Sequence, residues 1–203
     1  MKNMTPSMEL ITEGQIGKIC ELINARLRKS KIMSKPLQDV IEHQGSSLVD
    51  KVISVITEMV DMVSNFILRL VKVDRKRSPK EALNATGRKQ YTNDSVVAEM
   101  PKGNGDEVEV FFFNLGRFIS DDDLEKEYEL RGLKSADPYS LSAVNEADPA
   151  LADTHPNATH WKDKNGKWCF AAFSRWDVDE RYVNVNRDGN DWDDSWWFAG
   201  VRK

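Results

Sequence analysis

Apolar positions in the first third of the chain recur at helical spacing. Ile16, Ile19, Leu22, Ile23 and Leu27 follow a period near 3.6, which predicts an amphipathic helix. Ser34-Lys35-Pro36 interrupts it. A longer helix is expected from Ser46 or Ser47, either of which can cap it. Val49, Val52, Ile56, Met59, Val63, Phe66, Leu70 and Val73 then step by three and four, as in an a/d seam. Leu48, Ile53, Val55, Val60, Met62 and Ile67 widen the stripe, opposite a polar face that includes Thr57, Glu58 and Asp61. A stripe this wide needs several neighbours. Residues 1–74 are therefore expected to form a helical unit. It reads as a hairpin packed on the rest of the chain, as a homo-oligomeric bundle through residues 48–73, or as a recruiter of a partner.

Residues 75–105 read as a linker. RKRSPK is a charge run, and ATGRKQYTND and PKGNGDE carry turn residues. The basic run could touch nucleic acid, but a solvated connector is the simpler expectation. Asn84-Ala85-Thr86 matches a glycosylation sequon, idle without secretion.

The period then shortens to two. Glu107–Asn114 (EVEVFFFN) reads as a strand running into a buried position. Ser120 precedes Asp121, Asp122 and Asp123, anions suited to a helix N-terminus, and that helix should stop at Gly132. A second helix is expected over Tyr139–Ala147. Lys164-Asn165-Gly166-Lys167 predicts a tight turn before a strand at Trp168–Phe173. Along Tyr182–Arg187, Val183 and Val185 fall on one face and Tyr182, Asn184 and Asn186 on the other. The end, WWFAGVRK, is a further strand. The fold class is thus α+β beyond residue 106.

Composition sharpens this division. The 203 residues carry a net charge of −4, yet residues 1–90 hold 16 basic and 10 acidic side chains and the remainder 13 and 23. All six tryptophans lie at or after Trp161. The acidic balance argues against a dedicated nucleic-acid binder. Two cysteines exclude a disulfide scaffold. Cys20 lies near the first helical stripe and Cys169 between Trp168 and Phe170, so both read as core. No uncharged apolar run is long enough for a membrane span, and the opening residues lack the apolar segment of a secretory signal, so a cytoplasmic location is expected.

Residues 107–203 resemble the variable protein of a diversity-generating retroelement, a family with the C-type lectin fold. The resemblance rests on the strand and two helices in order, the Trp161…Asn165-Gly166…Trp168 turn, the alternating Arg181–Arg187 segment and the terminal WFAGVRK. It implies a C-type-lectin-like domain over 106–203, with the strand at 107–114 paired to the terminal strand and a variable region at about 174–195. In that family a reverse transcriptase copies a template repeat, mutates its adenines, and the copy replaces the variable region. Asn codons change most. Ser174, Asp177, Val178, Asp179, Tyr182, Asn184, Asn186, Asp188, Gly189, Asn190, Asp191, Asp193, Asp194 and Ser195 would then be changeable, ligand-binding positions. Trp176, Val183, Val185, Trp192, Trp196, Trp197, Phe198, Gly200 and Val201 have codons without adenine and would form the frame. Arg175, Arg181 and Arg187 would buttress it by pairing with carboxylates or carbonyls. The function implied is non-catalytic binding of an unknown ligand, most readily a protein, with no cofactor, no membrane and no nucleic acid.

The physical chemistry of the segment agrees with such a division. A buried Trp removes about 150–250 Å² from water, worth up to about 4–6 kcal/mol. Exposed polar substitutions usually shift stability by about 0.5 kcal/mol. A stiff apolar frame can therefore carry a changeable surface. A solvated acidic loop with no ligand is the bland alternative.

Other chemistries fit less well. Asn184-Val185-Asn186-Arg187-Asp188-Gly189 approaches a calcium loop, but its first position is Asn and its twelfth is Ser195 rather than Glu. Trp192-Asp193-Asp194 is similar to a sugar-lectin calcium motif that lacks its partner here. A calcium-dependent lectin-like binder and a structural or assembly protein built on the heptad helix remain the alternatives. His155 and His160 flank Pro156 without metal-ligand spacing, and neither cysteine has a partner for oxidative chemistry. No catalytic residue and no metal site is assigned.

Overall fold

The computed structural model describes residues 10–176, 180–187 and 191–203, apart from the side chains of 62–64. The chain divides between Thr57 and Glu58 into two units.

In the first unit, α1 (Glu13–Lys29) begins at Thr12, whose side chain accepts from the Gln15 amide while Gln15 returns a bond to the Thr12 backbone. This reciprocal cap is worth about 1 kcal/mol. α2 (Ser34–Ser64) starts earlier than expected: Pro36 sits in its first turn, where a missing N–H costs nothing. The helix is kinked at Gln44, whose φ of −134° leaves the helical region. The Ser46-Ser47 signal thus marks the resumption after a kink. No described side chain between Leu10 and Asp61 is buried, and Ile16, Leu22, Val49 and Ile53 are among the exposed apolar residues. Cys20 is exposed as well, correcting its expected core placement. Among the described residues no helix is long and apolar enough to cross a membrane.

The heptad reading fails past Ser64. Asn65 closes the helix by donating to the Asp61 carbonyl. Ile67–Lys72 is a strand, β1, so the proposed seam over 48–73 is helical only as far as Ser64. Spacing alone does not separate the two states here. Pairing with a second strand decides, because Ile67 and Leu68 stand opposite Phe112 and Phe111.

The expected linker is also folded. α3 (Pro79–Ala85) is capped by Ser78 and Glu81, β2 is Lys89–Thr92, and α4 is Asp94–Val97. Leu83 and Val96 are completely buried. The domain boundary at 74/75 and the linker over 75–105 are therefore corrected: these residues belong to the second unit.

β3 (Glu107–Asn114), α5 (Asp121–Leu130), β4 (Leu133–Ser135), α6 (Pro138–Ala147), α7 (Leu151–Thr154), β5 (Asn157–Lys162), β6 (Trp168–Trp176), β7 (Glu180–Asn186) and β8 (Trp197–Arg202) complete the order. They build a mixed eight-stranded sheet, β1-β3-β8-β5-β6-β7-β2, with β4 also on β8. The protein is α+β. The expected pairing of the 107–114 strand with the terminal one is present, Phe111–Asn114 lying antiparallel to Trp197–Gly200. Beyond Phe111 the two strands part: Glu107–Val110 pair with β1 and Gly200–Arg202 with β4. A cleft of ≈ 600 Å³ opens in that fork, bordered by Glu107, Glu109, Lys134, Asp137 and Arg202.

Both sheet faces are covered, by different means. α3, α4, α6 and α7 enclose one core with Val110, Phe112, Phe173, Val183 and Val185. α5 and the segments carrying Ile119 and Trp192 enclose the other, with Phe111, Phe113, Tyr128 and Phe198. Tyr128 donates its hydroxyl to the Ala199 carbonyl, and burial pushes its pKa well up. Gly200 lets α5 come this close. A Cβ there would meet Leu133 Cδ1 at 3.0 Å and Tyr128 Cε1 at 3.1 Å. Gly200→Val is expected to cost about 2 kcal/mol through overpacking. Urea denaturation checks this, and a midpoint equal to the parent's would mean that Leu133 and Tyr128 give way freely.

Candidate functional site

The outward face of β6 and β7 is built by strict alternation. Val183 and Val185 are fully buried, so Tyr182, Asn184 and Asn186 must point the other way, where all three are partly exposed. Register sets Ala172 opposite Asn184 and Phe170 opposite Asn186. A pocket of ≈ 200 Å³ opens there, lined by Phe170, Ala172, Tyr182, Asn184, Asp191, Trp192 and Trp196. Trp192 is held rigidly: its backbone exchanges hydrogen bonds with Ile119 and its Nε1 donates to Asp121 at 2.9 Å. Trp196 packs edge-on against it. The Asn184 Oδ1 is buried and has no hydrogen-bond partner among the described residues, an acceptor left at the rim of an open pocket.

The remaining candidate positions divide. Asp191, Asp194 and Ser195 are exposed and Asp193 is half-exposed, its carboxylate turned onto Ser195 in a local turn. Among the described residues Asn186 accepts only from the amide of Arg187. Asp194 is tied to the sheet only through its backbone carbonyl, which accepts from Asn114 Nδ2 at 2.8 Å and does not depend on the side chain at that position. Among the described residues no side chain of this group is bonded to a distant partner, so each can change without uncoupling the core. Ser174 is the exception and is corrected: only 8% exposed, it offers its carbonyl to the buried Arg88. Asp177, Val178, Asp179, Asp188, Gly189 and Asn190 lie outside the described residues. With Asn184 and Asn186 on a strand, the calcium-loop geometry is not formed by them, and the described residues contain no cluster of three or more candidate metal ligands.

The tryptophan frame needs one correction. Trp161 and Trp192 are buried, and Trp168, Trp196 and Trp197 are half-buried, but Trp176 is 65% exposed. It joins Tyr182 and Tyr91, the latter brought in by β2, which runs parallel to β7 with Tyr91 opposite Asn184. Sequence reasoning missed Tyr91 because its segment carried no periodic signal.

The arginines act as buttresses. Arg181 and Arg175 converge on Asp153 of α7, at 2.6 Å and 3.3 Å, and Arg187 pairs with Asp163 at 2.9 Å. Asp153 is held below the usual carboxylate range, chiefly by its bond from Arg181. Asp163 is lowered first by the backbone amide of Lys167, so one carboxylate shapes the Asn165-Gly166 turn and anchors the end of β7. Arg88 is buried and donates to the carbonyls of Ser174 and Pro149 and to Asn145 Oδ1.

A second cluster, also missed from the sequence, lies beneath α5. His160 is sealed, with Nδ1 2.6 Å from Asp121 and Nε2 2.9 Å from Glu125. Both nitrogens face carboxylates, so both donate and the ring is an imidazolium. Burial alone would lower its pKa, but the two carboxylates outweigh this and the net direction is up. Trp168 stacks on it at 4.4 Å with Lys162 over the indole. With both N–H groups committed, His160 is a clamp joining α5 to β5 and has no free lone pair to act as a base. The three aspartates of the helix N-terminus thus take separate partners: Asp121 holds His160 and Trp192, Asp122 accepts from Trp168, and Asp123 completes the cap.

Fold and site together define an α+β protein with a mixed sheet and an open, polar face bordered by aromatic rings. Comparisons with protein-family models, with curated proteins and with solved structures found no match.

Proposed function

We propose that this chain is a non-catalytic binding protein with a C-type-lectin-like domain, whose variable segment at about 175–195 is diversified by retroelement-directed adenine mutagenesis and recognises a protein ligand. The observation that carries the reading is the division along β7: buried valines alternate with partly exposed Tyr182, Asn184 and Asn186, and Tyr182 and Asn184 line a pocket holding an acceptor without a partner among the described residues. The pairing of the 107–114 strand with the terminal strand is what the lectin-like resemblance implies. The Asn, Asp, Ser and Tyr composition suits adaptable hydrogen bonding around an aromatic anchor.

Two measurements test it. The encoding DNA should have a nearby near-copy of the segment for roughly 174–203, differing at adenines, beside a reverse-transcriptase gene. Asn184→Ser and Asn186→Asp should each leave unfolding free energy within about 0.5 kcal/mol of the parent. A genome without such a repeat ends the retroelement reading. Losses above about 2 kcal/mol at both asparagines would make them structural, and the binding face would go with them.

A further inference from the structure

Tyr91, Trp176 and Tyr182 form one aromatic cluster, in which Tyr91 and Trp176 are exposed and Tyr182 partly so. Ring centroids are 5.9 Å apart for Tyr91–Tyr182, 6.4 Å for Tyr91–Trp176 and 5.2 Å for Trp176–Tyr182. Tyr91 stands nearly perpendicular to both others, at 82° and 83°. Such an arrangement presents π faces, which carry negative potential, in more than one direction. A carboxylate closes the cluster: Glu180 accepts from the Tyr91 hydroxyl at 2.9 Å and from Lys89 Nζ at 3.0 Å. Lys89 Nζ lies 5.2 Å from the centre of the Tyr91 ring. The free protein thus already lodges one ammonium group against this ring and this acid.

We propose that Tyr91, Trp176, Tyr182 and Glu180 form a cation-binding platform that takes an arginine or lysine side chain of the protein ligand, with Lys89 filling part of that place in the free protein. The inference rests on reading the β6–β7 face as the ligand surface, and it names the chemistry of one contact there. Charge complementarity supports it. The arginines of the same two strands, Arg175 and Arg181, are drawn away to Asp153. Asp191 lines the adjoining pocket and Asp194 is exposed nearby in sequence. Lys89 is a replaceable occupant because its ion pair is largely exposed, at 55% and 39% for the two side chains, and such pairs hold weakly. A cation over exposed aromatic rings contributes about 0.5–1 kcal/mol, and more when water is excluded. Trp176 and Tyr91 are outside the positions the family resemblance makes changeable. The platform would therefore supply a constant contact beside Tyr182, which can vary.

The test uses the full chain labelled with ¹⁵N and follows the indole N–H signal of Trp176, assigned through Trp176→Phe. The probe is N-acetyl-arginine amide, and its uncharged counterpart is N-acetyl-citrulline amide. The arginine probe should give a saturable shift at Trp176, and the citrulline probe should bind roughly tenfold more weakly or not at all. Tyr91→Leu and Glu180→Gln should weaken the response. Lys89→Ala should strengthen it about two- to fivefold by vacating the place. Dispersed spectra from each variant verify folding. Equal shifts from both probes, no shift up to the solubility limit, or an unchanged response in Tyr91→Leu and Lys89→Ala would overturn the platform. If that happens while Asn184 and Asn186 remain freely replaceable, only the cation contact is lost and the binding face stands.

Discussion

Replacing His160 with leucine is expected to cost about 3–5 kcal/mol of stability. The side chain is wholly buried and bridges α5 to β5 through Asp121 and Glu125. Leucine fills much of the space but leaves the Asp121 carboxylate inside the protein with, among the described residues, only the Trp192 indole to satisfy it. Removing one partner of a buried pair is costly because the other charge stays behind. The same clamp makes stability depend on pH. His160 has a folded pKa raised above its ordinary 6.5, so its contribution is complete below 6.5 and is lost as pH rises through the folded value. Glu125 runs the opposite way: its folded pKa is lowered from 4.5, mainly by the bond from His160, so its contribution is present above 4.5 and is lost on acidification. Melting temperature should therefore fall from about pH 6.5 upward in the parent, with a flatter alkaline limb in His160→Leu. A parent curve level from pH 6 to 9, or a leucine variant as stable as the parent, would show that the imidazolium clamp is absent.

Arg88→Ala should lower unfolding free energy by about 3 kcal/mol. The guanidinium is 5% exposed and satisfies two carbonyls and one side-chain oxygen that come from α6, the turn after it, and β6. Burial pushes its pKa down to about 10, so it remains charged at neutral pH. Alanine would leave the Ser174 carbonyl and Asn145 Oδ1 unpaired in the interior, free the part-buried Pro149 carbonyl, and open a void beside Phe173, over which the guanidinium now lies. Arg88→Lys should recover only part of the loss, because one ammonium cannot reproduce the planar fork. The consequence reaches the candidate face, since Ser174 is held from behind by this residue while Tyr182 stands opposite it in register. Chemical denaturation gives the stability change. A cost under about 1 kcal/mol would mean that water enters and satisfies the acceptors.

Local signals and long-range contacts determined different parts of this molecule. The sequence by itself determined α1, the helices at 121–130 and 138–147, the Asn165-Gly166 turn, and the inward valines of β7. Capping residues, turn residues and period-two alternation act over a few positions, so their outcome can be read without knowing the neighbours. The polar positions Asn184 and Asn186 were found for the same reason. Only the tertiary structure decided β1, where Phe66, Leu70 and Val73 continued a helical spacing until pairing with β3 overrode it. Only it folded residues 79–97, whose strands and helices are too short to carry a period and are held by burial of Leu83 and Val96. It also decided which aspartate of three would meet His160, that Ser174 would be sealed by Arg88, and that Tyr91 would arrive beside Trp176 from a strand far away along the chain. Those outcomes depend on sheet order, and sheet order is set by contacts between residues distant in sequence, which no local pattern records.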